Sequence, residues 1–118
     1  MLTMEEADRR VANGAELLDR LDADVAKLDP GKEEIWDTVI DESRLDLSRD
    51  EDCILGQLYG GYEFGVKAMH NFGMRDPVEC GFELSYSLYE ATAERVEAEY
   101  AVLTQAWSRL ILARREAA

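Results

Sequence analysis

Cys53, His70, Asp76 and Cys80 are the side chains in this sequence whose types could build a reactive centre. A thiol becomes a nucleophile when a base takes its proton and a helix N-terminus or nearby cation stabilises the thiolate. His70, the single histidine, would be that base, with Asp76 to orient it. Three features count against this. The pair carries no flanking signature, the residues fall on separate short elements, and Asp50, Glu51 and Asp52 oppose a thiolate. Cys53 is therefore expected to be a small buried hydrophobe. A zinc site from Cys53, His70 and Cys80 lacks the closely spaced ligand pairs such sites use. A Glu-x-x-His pair for a di-metal bundle is missing. Gly60-Gly61-x-x-x-Gly65 lacks the Lys-Ser/Thr and the preceding strand of a phosphate loop. The sequence thus assigns no catalytic, metal-ligating or cofactor-binding residue, and the expectation is a protein that is not an enzyme.

The net charge bounds the partners. Acidic residues number 26 against 13 basic, for a net charge of −13. Without a Lys/Arg stripe to displace counterions, direct contact with nucleic-acid phosphates is disfavoured, and so is an anionic membrane surface. No apolar run reaches the length of a membrane span, and the chain does not open with a signal-peptide pattern. Two widely separated cysteines fit a reducing compartment, so a cytoplasmic protein is expected.

The elements that must position these residues are mostly helical. Met4, Ala7, Val11, Gly14, Leu18, Leu21, Val25 and Leu28 recur every three or four residues, as do Tyr89, Ala93, Val96, Tyr100, Leu103, Trp107 and Leu110. Each set makes a narrow apolar seam on one side of a helix. Thr3-Met4-Glu5-Glu6 forms a capping box for the first helix, which runs to about Leu28 before Pro30-Gly31. The last helix is expected from about Leu88 to Arg115, with acidic residues in its first half and arginines in its last turns. Between them, Lys32–Ile40 reads as a short helix with Ile35, Trp36, Val39 and Ile40 inward. Ser48-Arg49-Asp50-Glu51 reads as a second capping box, launching a helix that Gly60-Gly61 stops. A further helix spans Tyr62 to about His70, and Asp76-Pro77-Val78-Glu79 reads as a third helix start, with Asp76 as cap and Pro77 at the first helical position, ended by Gly81. The alternation of Leu45 and Leu47, and of Phe82, Leu84 and Tyr86, leaves room for a minor two-stranded β element.

The stretch Cys53-Ile54-Leu55-Gly56-Gln57-Leu58-Tyr59-Gly60-Gly61-Tyr62 resembles the core of a family of small proteins of unknown function from actinobacteriophages and actinobacterial genomes. The resemblance extends to Ala7–Ala15, Leu45-Asp46-Leu47, Gly81-Phe82 and Leu103–Ile111. It departs over residues 83–100 and over Lys32–Ile40. It implies a phage or prophage origin and a bacterial cytoplasm. It implies no chemistry.

The architecture expected is one mainly α domain over residues 1–118, two long terminal helices around two or three short central ones. Gly14, Cys53, Gly56, Gly60 and Trp107 are read as structural. Gly14 lies inside a seam and costs about 1 kcal/mol of helix stability relative to Ala, so another backbone should approach it, with Gly56 and Gly60 as natural counterparts. The aromatic group Tyr59, Tyr62, Phe64 and Phe72 is expected to pack inward, with Tyr59 or Tyr62 left as an interface anchor. Gln57 should satisfy backbone groups at the end of a long helix or in the 41–47 loop. Candidate interaction residues are Trp36, Gln57, Tyr59, Tyr62 and Phe64. The functional expectation is an interaction protein for a host or phage protein. The alternatives are an acidic nucleic-acid mimic and, less favoured, a ligand binder or enzyme at Cys53 and His70. A homodimer through the seams is the alternative to closure within one chain.

Overall fold

Apolar seams at helical spacing need a partner, and in the computed structural model the two long ones meet. The structure describes residues 2–28, 31, 35–84 and 92–117. Its helices are α1 (Met4–Leu28), α2 (Trp36–Val39), α3 (Ile54–Tyr59), α4 (Tyr62–Asn71) and α5 (Ala93–Ala117), with a 3-10 turn at Glu42–Arg44. Along α1 and α5 the contacts advance together. Leu2 N–H donates to Glu99, Gly14 lies against Trp107, and Asp19 binds Arg114. The two helices therefore run parallel, with the central segments folded across them.

Thr3 caps α1, its hydroxyl accepting from Glu6 N–H at 3.1 Å. The reciprocal half of the expected box is replaced: Glu6 turns to Arg9 and Arg10, which hold its carboxyl down to about 2. Thr92 caps α5, accepting from Arg95 N–H at 3.1 Å and, through its carbonyl, from Val96 N–H. This helix begins at Ala93, four to five residues later than its periodicity suggests; the expected first turn at 88–91, with Tyr89, lies outside the described residues, as do Pro30, residues 32–34 and Tyr86. Its buried line is Glu99, Leu103, Ala106, Trp107 and Ile111. The seam is thus rotated from the expected one. Ile111 enters the core in place of Leu110, and Ala93 is exposed.

Two expected helix starts are turns. Asp46 accepts from both the N–H and the hydroxyl of Ser48, and the backbone bonds that follow, Arg49 N–H to Asp46 O and Asp52 N–H to Arg49 O, close turns rather than a helix. Helix α3 begins six residues later, where Cys53 Sγ takes the N-cap place and accepts from Gly56 N–H at 3.2 Å. Asp76-Pro77 closes after a single turn. Gly81 N–H donates to Val78 O and Phe82 N–H to Pro77 O, with Gly81 at φ +72°: the paired bonds of a Schellman motif. No strand occurs among the described residues, so the β element is not formed there. Leu45 and Leu47 nevertheless both reach the core, with Asp46 between them turned to Ser48.

The centre is aromatic. Trp107 is fully buried, stacks on Phe82 with centroids 5.6 Å apart, and meets the edge of Trp36 at 5.8 Å. Its Nε1–H donates to Gly81 O at 2.6 Å, which satisfies the one polar atom of the ring. Gly14 does admit a close backbone, but the counterpart is the Cys80 carbonyl: a Cβ at Gly14 would sit 2.1 Å from it. Gly56 instead abuts Asp50 of its own approach loop. A Cβ at Gly60 would meet nothing within 4 Å beyond its chain neighbours, and Gly60 serves as the left-handed cap of α3 at φ +86°. The α3–α4 crossing is made close by Gly65 against Leu55.

Candidate docking cleft

The seam of α1 outruns its cover. Ala7, Val11, Leu18 and Leu21 are buried, Val25 is half-buried, and Leu28 is 88% exposed. Leu18, Leu21, Asp22 and Val25 form one wall of a cleft of about 260 Å³. Trp36 and Val39 of α2 form the second wall, and Leu58, Tyr59 and Phe72 close it from the α3–α4 side. Phe72 and Val39 are 51% and 45% exposed.

The floor is held by polar bonds as well as by packing. Trp36 N–H donates to Asp22 Oδ2 at 2.9 Å, and its Nε1–H to Asp19 Oδ1 at 2.8 Å. Arg114 grips Asp19 through two parallel bonds of 2.7 and 2.9 Å and lies 5.4 Å over the Trp36 ring. That paired geometry is the strong form of a carboxylate–arginine contact. It holds the Asp19 carboxyl below its usual range, with Trp36 assisting. Arg115 donates to the carbonyls of Asp37 and Ile40, so the end of α5 fixes both ends of α2. Burial raises the Tyr59 phenol above its usual value, and the negative charge of Asp22 adds to this.

The candidate interaction residues separate. Trp36 and Tyr59 line this cleft, Trp36 as buried floor rather than exposed anchor. Gln57 faces elsewhere: its Oε1 accepts from Asp41 N–H at 2.7 Å, and its Nε2–H₂ donates to the Asp41 and Asp52 carbonyls. It ties down the 41–47 loop, the structural use its chemistry suggested. The Tyr62 hydroxyl donates to Glu83, and Phe64, 68% exposed, lies over Gly61. The inward aromatic group is therefore not formed: Phe64 and Phe72 are exposed, and Tyr59 and Tyr62 are half-buried. The reason is the brevity of α3 and α4, whose inner faces are filled by Ile54, Leu55, Gly65 and Met69. Of the helix read over Lys32–Ile40, only Trp36 and Ile40 turn inward, while Ile35 and Val39 face out. Val25, Val39 and Phe72 were read from the sequence as core-facing rather than as cleft walls, and Asp22 was not singled out; for Val25 the signal was the continuation of the α1 seam to Leu28.

Cys53 and His70 do not meet in a dyad. Cys53 Sγ is held at the head of α3, and burial, with Asp50 adding to it, pushes its thiol up. His70 Nδ1–H donates to the Met74 carbonyl at 2.7 Å, and Asp76 caps Val78. Cys80 is half-buried and also raised, chiefly by burial. Among the described residues, no group of three His, Cys, Asp or Glu side chains could hold a metal ion, and no helix is long and apolar enough to cross a membrane. Compared with protein-family models, with curated proteins and with solved structures, the chain matches none of them.

Proposed function

We propose that this chain is an interaction protein that holds an apolar segment of another protein in the cleft between α1, α2 and the α3–α4 corner. The observation that carries the reading is the uncovered end of the α1 seam, beside a pocket whose walls are apolar and whose floor is fixed by the Asp19–Arg114–Trp36 contacts. A pocket of about 260 Å³ falls below the roughly 300–1,000 Å³ of sites for drug-sized molecules. It suits one or two large side chains, the way interface anchors are seated.

The distribution of charge supports this reading over the nucleic-acid mimic. A mimic needs carboxylates in rows at phosphate-like spacing. Here Glu6, Asp8, Asp19, Asp46 and Asp52 are each paired with an arginine. The resemblance to small actinobacteriophage proteins makes an actinobacterial lysate the natural source of partners. The test is affinity capture by wild type beside Val39→Ser and Phe72→Ser, both at exposed positions where the fold tolerates a polar side chain. A protein retained by wild type and lost by both variants supports the proposal. Recovery that is the same for all three, or nothing above background, refutes it.

A further inference from the structure

We infer that α2 is a latched strap: it leaves the α1–α5 body as one unit while that body stays folded, and the docking cleft exists only while the strap is latched. The inference rests on the docking reading above and gives that site its regulation. The backbone bonds of α2 close within the strap, Thr38 N–H donating to Ile35 O at 3.0 Å and Ile40 N–H to Trp36 O at 3.3 Å. Among the described residues, no backbone–backbone bond ties residues 36–40 to another helix. The ties run through side chains. On the α1 side, Trp36 N–H donates to Asp22 and Trp36 Nε1–H to Asp19. On the α5 side, Arg114 reaches Asp37 at 3.5 Å, and Arg115 donates to the Asp37 and Ile40 carbonyls. Arg114 spans the latch, since it also grips Asp19 and covers the Trp36 ring. The Arg114 and Asp19 side chains are 34% and 44% exposed, so water takes over their bonds as the latch opens. The far end of the strap is a fixed pivot, because Gln57 accepts from Asp41 N–H and donates to Asp41 O. On release, Trp107 loses the edge contact of Trp36 but keeps its stack on Phe82, its bond to Gly81 O and its contact with Gly14. The body is loosened and stays folded, while the cleft loses its floor and second wall, Trp36 and Val39. A segment held this way opens at a lower free energy than the core beneath it.

The two tryptophans test this within one molecule. Both rings are buried and both indole protons are bonded, Trp36 Nε1–H to Asp19 and Trp107 Nε1–H to Gly81 O. Native-state hydrogen exchange of the full chain is followed by NMR in low urea. Trp36 Nε1–H and the Ile40 amide, on the strap, should exchange about tenfold faster or more than Trp107 Nε1–H and the Leu103 amide, in the core, and should respond less to urea. Gly14→Ala weakens the body whether the strap is latched or not, so it should speed the core pair by about thirtyfold and leave the strap pair unchanged. Arg114→Met removes latch bonds and should speed the strap pair about fivefold. Strap and core pairs that exchange together in wild type, or that Gly14→Ala speeds equally, overturn the strap. A strap pair unmoved by Arg114→Met overturns the latch. The regulation is read by capturing the partner with Arg114→Met/Arg115→Met, which alters no residue lining the cleft. Capture should fall as strap protection falls, with Trp107 Nε1–H still protected. Undiminished capture by a chain whose strap has lost protection overturns the regulation. A wild type that captures nothing refutes the docking reading instead, while exchange in the free chain still decides the strap.

Discussion

Replacing Gly14 by alanine sets two well-understood effects against each other, and the structure decides the sign. In an exposed helix interior the change gains about 1 kcal/mol, because alanine gives up less backbone freedom than glycine. At Gly14 the new methyl would lie 2.1 Å from the Cys80 carbonyl oxygen and 3.0 Å from two carbons of the Trp107 ring. The first neighbour is backbone, closed into the Pro77–Phe82 Schellman turn, and the second is a fully buried ring stacked on Phe82. Neither is the free end of a flexible side chain. The turn must lift away from α1, and as it lifts it draws Gly81 O off Trp107 Nε1, now 2.6 Å away. Overpacking costs about 1–3 kcal/mol, and loss of a buried hydrogen bond roughly 1 kcal/mol more. With the helix gain subtracted, Gly14→Ala should destabilise by about 2 kcal/mol, a fall in Tm of roughly 8 °C for a domain of this size.

Urea unfolding followed by far-ultraviolet circular dichroism gives the free energy, and a thermal melt gives Tm. Ala12→Gly is the control. Ala12 is exposed on the same helix, so it should lose about 1 kcal/mol from propensity alone. Gly14→Ala more stable than wild type, with the control behaving as stated, would refute the claim that a backbone crosses α1 at this residue.

Two further outcomes follow from the electrostatics. Arg114 lowers the Asp19 carboxyl, so the stability it contributes is complete above the unfolded value near pH 4 and is lost as the pH falls toward the lower folded value. Because Asp19 is partly exposed, that contribution is at most about 1 kcal/mol. Melts from pH 6 to pH 2.5 should show Asp19→Asn less stable at neutral pH and converging on wild type at the acid end; parallel curves would refute it. Cys53 is fully shielded and its thiol raised, whereas Cys80 is half-buried. A thiol-specific chromophoric disulfide should therefore label Cys80 under native conditions and Cys53 only on unfolding, and native labelling of Cys53 first would contradict the assignment.

How much of this was legible in the sequence differs by element. For α1, the seam and the Thr3 cap agree, and both are local, so the helix could be placed from its cap to about Leu28. For α5 the seam was ambiguous, since Leu110-Ile111-Leu112 is apolar at three successive positions and any of them extends the period. Packing against Gly14 and Phe82 through Trp107 selected Ile111. The false helix starts at Ser48 and Asp76 share one cause. A Ser or Asp that can cap a helix can equally close a turn of two or three residues, and the next stretch of chain decides which. That Gly14 needs a close neighbour could be inferred from glycine chemistry. That the neighbour is Cys80 could not, because the two residues are 66 positions apart in the chain. The cleft was hidden for a related reason: Val25 and Leu28 keep the same spacing whether the partner is α5 or absent.

The parallel arrangement of α1 and α5 accounts for why the cleft forms where it does. The C-terminal end of α5 collects partial negative charge and meets α1 at Asp19, while α1 runs on to Leu28. Arg114 and Arg115 sit in the last turn of α5 and spend their hydrogen bonds on Asp19, Asp37 O and Ile40 O, positions on α1 and α2. The cations that offset the end of α5 are thus the groups that clamp α2 against α1. With four residues α2 has no stability of its own, so it exists because of that clamp and of the burial of Trp36 and Ile40. Clamped there, it covers the seam of α1 as far as Leu21 and leaves Val25 and Leu28 beyond its reach. The opening is a consequence of how the parallel pair is closed. Its floor, Trp36, packs on Trp107, so the site's shape and the core's integrity depend on the same ring contact.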